Sequence, residues 1–175
     1  MAVTHYLGRE INTGSQIIWG PSGASGVTHN MDLNNLTTGN GREGVYADLG
    51  ANWEGMYTIL FVMEHGGTLP SYGGCYPLWL FCSPDTSSWP TPLTATDAAV
   101  TSNNNYRQRW GMFDHFTQST ADTNTAYKSY LKLWKPTGRY VTPLVENWTG
   151  SSARSNGTSV LSRITLTRVR GVIYT

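Results

Sequence analysis

The run Met56-Tyr57-Thr58-Ile59-Leu60-Phe61-Val62-Met63 constrains this chain more than any other stretch. A segment this rich in β-branched and aromatic residues reads as a strand. Successive side chains on a strand point to opposite faces. One face carries Tyr57, Ile59, Phe61 and Met63, and the other Met56, Thr58, Leu60 and Val62. Both are apolar. Tyr76-Pro77-Leu78-Trp79-Leu80-Phe81-Cys82 repeats the pattern. An antiparallel sheet usually turns one polar face to water. Two strands without one need a cover on their outer side, either a loop of the same chain or another subunit. A bare patch of that extent would drive aggregation.

The stretch Gly39 to Gly50 reads as a Gly-rich turn, a short strand at Val45–Leu49 and a second turn at Gly50-Ala51-Asn52. Further strands are expected at Gln16–Trp19, Val27–Leu36 and Arg107–Phe116. Another is expected at Ala126–Trp134, with Tyr127, Leu131 and Leu133 toward the core and Lys128 and Lys132 outward. Arg139–Trp148 follows, where Pro143 implies an edge position or a bulge. In Val160–Val169, Ile164 and Leu166 alternate with Arg163, Thr165 and Thr167, and Val172-Ile173-Tyr174 prolongs that strand past Gly171. Residues 83–105 form a long loop opened by the Ser83-Pro84-Asp85 turn signal, with one helical turn at Asp97-Ala98-Ala99-Val100. No segment supports a helix of three turns. The expected fold is all-β: an antiparallel β-sandwich, jelly-roll-like, of eight to nine strands. Residues 1–14 read as an N-terminal arm or lead-in and 15–175 as a single domain.

A chain of 175 residues suits one domain. Charged residues make up 13%, and the net charge is +1, which argues against an electrostatic nucleic-acid binder. No apolar run approaches the length of a membrane span. The opening Met1-Ala2-Val3-Thr4-His5-Tyr6 has neither a basic nor an apolar region of a signal peptide, so folding in a reducing cytosol is expected. Cys75 and Cys82 lie on opposite faces of one strand and read as free thiols. Asn147-Trp148-Thr149 and Asn156-Gly157-Thr158 match the glycosylation pattern but read as chance hits in that compartment.

His5, His29, His65 and His115 are scattered, with no ligand-like spacing. Gly39-x-Gly41 precedes a strand rather than a helix, so it reads as a turn needing positive φ and not as a phosphate cradle. Asp48, Glu54, Glu64, Asp97, Asp114 and Glu146 are the carboxylates available to a hydrolase, but no spacing pairs any two. Arg42 with Glu43, and Arg139 with Glu146, read as structural ion pairs. The reading is therefore non-enzymatic: no catalytic, cofactor-binding or metal residues and no cofactor. Seven Trp and ten Tyr form a large aromatic supply. Trp89, Trp110, Trp134 and Trp148 fill the core or a subunit interface, or else, exposed beside Asn and Asp, stack on sugar rings.

Several collinear segments resemble a family of small β-sandwich virion proteins of tailed bacteriophages. They are Gly41-Arg42-Glu43 leading into Val45 to Gly50, the apolar strand at 56–64, Leu78-Trp79-Leu80, Ser83-Pro84-Asp85 and Asp97-Ala98-Ala99. Lys135 to Val141, Leu144-Val145-Glu146-Asn147 and Ile164-Thr165-Leu166-Thr167 complete the series. The resemblance implies a structural protein of the phage particle. The expectation is a capsid decoration (cement) protein, made in the host cytoplasm and placed on the capsid exterior of the virion. Its partners would be itself, as a homotrimer, and the major capsid protein. The alternative is a glycan- or receptor-binding module of a tail or head fibre.

Overall fold

The computed structural model describes residues 10–64, 74–101, 114–117, 126–128, 132–150, 152–153 and 162–170. Among these there is no helix. The strands are β1 (Glu10–Gly20), β2 (His29–Asn30), β3 (Asn40–Glu43), β4 (Ala47–Asp48), β5 (Met56–Glu64), β6 (Cys75–Ser83), β7 (Ala98–Thr101), β8 (Asp114–Thr117), β9 (Ala126–Lys128), β10 (Lys132–Trp134), β11 (Tyr140–Glu146) and β12 (Arg163–Arg170). Of these twelve, β2 and β4 are two-residue pieces, and β9 and β10 divide one expected strand.

The strands form two mostly antiparallel sheets. The first runs β10-β5-β12-β1-β2, with β9 also on β5, and the second runs β7-β3-β11-β6-β8, with β4 also on β11. The inward residues of both meet in one core. Trp19, Tyr57, Ile59, Phe61, Met63, Ile164 and Leu166 come from the first sheet, and Tyr76, Leu78, Val141 and Val145 from the second. Two sheets sharing one core are consistent with a β-sandwich. Each such buried side chain contributes roughly 1.5–3 kcal/mol. Trp19 also ties the layers together, because its Nε1 donates to Val45 O at 2.7 Å between β3 and β4.

Several expectations are corrected. Asn40–Glu43, read as turn, is β3. Gly39 has the positive φ of 79°, whereas Gly41 is in the strand because the backbone is closely approached there. A Cβ on Gly41 would lie 3.2 Å from Glu146 and Leu144 side-chain atoms. Asp97-Ala98-Ala99-Val100 makes no helical turn, since β7 pairs with β3 from Asn40↔Thr101 to Glu43↔Ala98. The expected strand at Val27–Leu36 shrinks to β2, parallel to β1. Beyond it Met31, Leu33 and Leu36 still reach the core, from an irregular segment containing left-handed Asn35. Residues 10–14 of the expected lead-in belong to β1. Leu133 does not face the core. Register on β5 sets it opposite Thr58 and leaves it 44% exposed, while Trp134 takes the inner position against Tyr57.

Pro143 lies in a central strand, not at an edge. It faces the gap between β3 and β4, where the register moves by one residue, from Leu144↔Glu43 to Val141↔Ala47. There Gly44 N donates to Pro143 O at 2.9 Å. The reciprocal donor is absent because proline has no N–H. The Thr142 hydroxyl donates to Gly44 O instead, at 2.6 Å.

The expected helper strand at Val172-Ile173-Tyr174, the first part of Arg107–Phe116, and the sites His5, His65, Trp110 and Asn156 lie outside the described residues, as do the side chains of Glu64, Asp114, His115, Tyr127 and Leu131.

Candidate functional site

The outer face of the second sheet presents Trp79, Phe81, Leu144 and Val100. It is covered by the chain's own loop, with Leu93 buried on it and Trp89 packed against it. The cover that the two-faced strand 76–82 demanded is thus, on this side, internal.

Three anchors hold that loop. Asp85 accepts from Ser87 N at 2.8 Å, Ser88 N at 2.7 Å, Ser87 Oγ at 2.9 Å and Ser88 Oγ at 2.7 Å. These bonds, the Ser88 hydroxyl foremost, hold its pKa down to about 2. Glu43, buried on β3, accepts from Thr94 N at 3.1 and 3.0 Å, from Ala95 N at 3.2 Å and from the Thr94 hydroxyl. A buried carboxylate is tolerated where donors converge on it. Asp97 accepts from Arg42 Nε at 2.6 Å and from Asp32 N at 3.0 Å, and its carbonyl takes Arg42 Nη2 at 3.1 Å. The bond to Asp97 raises the Arg42 pKa. Arg42 and Glu43 are therefore not each other's partners.

At one end of this face three aromatic rings come together, all partly exposed. Tyr46 lies 6.1 Å from Trp89 at an interplanar angle of 31°, and 5.9 Å from Tyr140 edge-on at 79°. Trp89 Nε1 donates to Thr86 O at 3.0 Å, which fixes the indole. Arg139 Cζ stands 5.2 Å from the Tyr140 ring centre. Arg139 forms a two-pronged pair with Asp48, Nε to Oδ1 at 2.7 Å and Nη2 to Oδ2 at 2.6 Å. The arginine's expected partner, Glu146, instead accepts from Trp148 Nε1 at 2.7 Å. Bonding to Arg139 lowers the Asp48 pKa, and bonding to Asp48 raises that of Arg139. Side-chain exposures of 43% and 40% keep this pair in water, where such pairs contribute little stability.

The remaining sequence candidates are dispersed. Trp134 packs on Tyr57 in the core. Trp148 packs edge-on against Trp79 at 6.0 Å. Glu54 is exposed in the turn before β5. His29 lies 5.7 Å from Trp19, and burial lowers its pKa. Among the described residues no group of three or more His, Cys, Asp or Glu is placed to hold a metal ion, and no helix is long and apolar enough to cross a membrane. Cys75 and Cys82 are free thiols, and burial raises the Cys75 pKa. Asn147 is fully buried. Its Nδ2 donates to Leu36 O at 2.6 Å, and its Oδ1 accepts from Thr149 N and Oγ1, so no glycan can be attached there.

Sequence reasoning singled out Trp89, Asp48 and Arg139 separately but missed Tyr46 and Tyr140, and missed that the five meet. Only the strand register, Tyr140↔Asp48 on β11 and β4, brings them together. No family model, curated protein or solved structure matches the chain.

Proposed function

We propose that this protein is a non-enzymatic structural component of a tailed-phage particle, a capsid decoration (cement) protein acting through symmetric protein–protein contacts. The observation that carries the reading is the outer face of the first sheet. Met56 and Leu133 stand 39% and 44% exposed there. Leu60 and Val62 share their face by strand alternation, with Val169, Thr167, Thr165 and Arg163 across on β12 and Lys128 on β9; Thr58, Val62, Thr165 and Thr167 are already buried. Apart from Arg163 and Lys128, both beside Val62, these positions are aliphatic or threonine. The exposed apolar part of this face, at Met56 and Leu133, suits burial against a second copy. The opposite sheet, covered by its own loop, has no such need.

The strand orders support the finer reading of the sandwich as a jelly roll. One sheet contains β1-β12-β5-β10, the other β3-β11-β6-β8. The first and last strands are central neighbours, and the chain passes repeatedly between sheets, as in two interlocked Greek keys. Jelly rolls serve in viral capsids and in lectins, so the fold by analogy admits both roles. The low charge content also suits a subunit packed among copies. The protein would be made in the host cytoplasm, assemble as a homotrimer on the capsid exterior and bridge copies of the major capsid protein. Many weak contacts repeated by symmetry would then stabilise the shell.

The test is light scattering of the purified protein, followed by sedimentation with capsid shells. A trimer that co-sediments is expected, and Leu133→Glu should dissociate it while leaving the fold intact. A monomer that stays in the supernatant would overturn the proposal.

A further inference from the structure

We infer that the shelf formed by Tyr46, Trp89 and Tyr140, with Asp48 and Arg139 at its edge, is a binding site for a neutral saccharide. The inference does not depend on the capsid reading, because the shelf lies on the second sheet and the apolar face on the first.

An aromatic residue that serves only to stabilise a fold is usually well hidden, with its polar atom satisfied. Here Trp89 and Tyr140 flank Tyr46 at 6.1 and 5.9 Å, and all three rings remain partly exposed. The Tyr46 and Tyr140 hydroxyls make no hydrogen bond among the described residues, whereas the Trp89 N–H is already satisfied by Thr86 O. The shelf therefore offers apolar ring surface with two phenol groups able to donate and accept. A pyranose has the complementary make-up: an apolar C–H face and a rim of hydroxyls.

The rim has its own partner. Arg139 uses Nε and Nη2 on Asp48, which leaves Nη1 with two N–H donors and no acceptor among the described residues. Asp48 Oδ1 is occupied by Arg139 Nε and by Gly50 N at 2.8 Å, while Oδ2 takes only Arg139 Nη2. One ion pair thus offers both a free donor and a free acceptor. That pattern matches two adjacent sugar hydroxyls, one accepting and one donating. The guanidinium and carboxylate cancel in charge, which favours a neutral sugar over a uronic or sialic acid and gives a nucleic-acid phosphate no excess cation.

The geometry is also held before any ligand arrives. The Asp85 turn and the Glu43 clasp fix the loop on both sides of Trp89. The Asp48 pair and the stacked guanidinium fix Tyr140. Groups already ordered cost little further entropy on binding.

The experiment is amide-shift NMR of the full chain against glucose, galactose, mannose, N-acetylglucosamine and their di- and trisaccharides, with glucuronic acid as the charged comparison. Saturable shifts centred on residues 46, 48, 89, 139 and 140 are expected with at least one neutral sugar, and weaker ones with glucuronic acid. Trp89→Ala should weaken that sugar by roughly tenfold, from lost ring contact. Asp48→Asn should weaken it several-fold, and this exposed change leaves the fold intact, so it decides the matter if Trp89→Ala fails to fold. Absence of saturable shifts across the panel would overturn the inference. So would shifts centred elsewhere, or affinities unchanged in both variants. Loss of sugar binding should leave co-sedimentation with shells unaltered, which separates the two proposals.

Discussion

The Thr142 hydroxyl stands where a backbone amide would ordinarily donate. It is fully buried and gives Gly44 O its bond. Thr142→Val keeps the shape and strands a buried carbonyl, so a loss of about 1–3 kcal/mol is expected in urea unfolding. Asp85 behaves differently because it is fully exposed. Its folded pKa of about 2 lies below the ordinary 3.8. The stabilisation from its bonds to Ser87 and Ser88 is therefore complete above about pH 4 and is lost as pH falls through about 2. Carboxyl NMR should place its midpoint near 2, and Asp85→Asn should remove that part of the acid dependence of stability. A midpoint near 4 would show that the serine bonds do not form in solution. The Ser-Pro-Asp signal was legible as a turn because its chemistry is local. The partners of Arg42, Arg139 and Glu43 were not, because each lies at least 51 residues away in sequence.

At the scale of elements, β5 and β6 were legible from their β-branched and aromatic content and β12 from its alternation, including the inward placement of Ile164 and Leu166. β3 and β7 were not. Asn40-Gly41-Arg42-Glu43 has no apolar period, and it becomes a strand because Gly41 admits β11 and β7 at close range. Asp97-Ala98-Ala99 has helix-forming alanines, yet pairing with β3 overrides that propensity. Leu133 and Trp134 compete for one inner position, and the register on β5 awards it to the larger ring. The loop over the second sheet is an element in its own right, closed by Glu43. Glu43→Gln would set an amide N–H₂ against the Thr94 and Ala95 donors. It should cost about 1–3 kcal/mol and expose residues 84–97 to limited proteolysis before the sheets open. Equal protease resistance in variant and parent would mean that the loop is held by its apolar contacts alone.

For the whole molecule, the shared core makes the two sheets one cooperative unit. Leu166, 1% exposed, sits among residues of both. Leu166→Ala should cost about 2–5 kcal/mol and move a single unfolding transition seen alike by far-UV and near-UV circular dichroism. Two separated transitions would show that the sheets unfold apart. At this scale the all-β class was legible from turn frequency and the lack of helical periods. That the chain's own loop covers the outer face of the second sheet was not, because strands 56–63 and 76–82 look alike until their neighbours are known. The Pro143 site has a consequence for how such a chain can vary. A residue other than proline at 143 would restore the N–H that Gly44 O lacks, and the hydroxyl at 142 would become dispensable. Neither position is then free alone: loss of Thr142 is harmful beside proline and tolerable beside valine. Pro143→Val should rescue Thr142→Val, and in related chains the two positions should change as a pair.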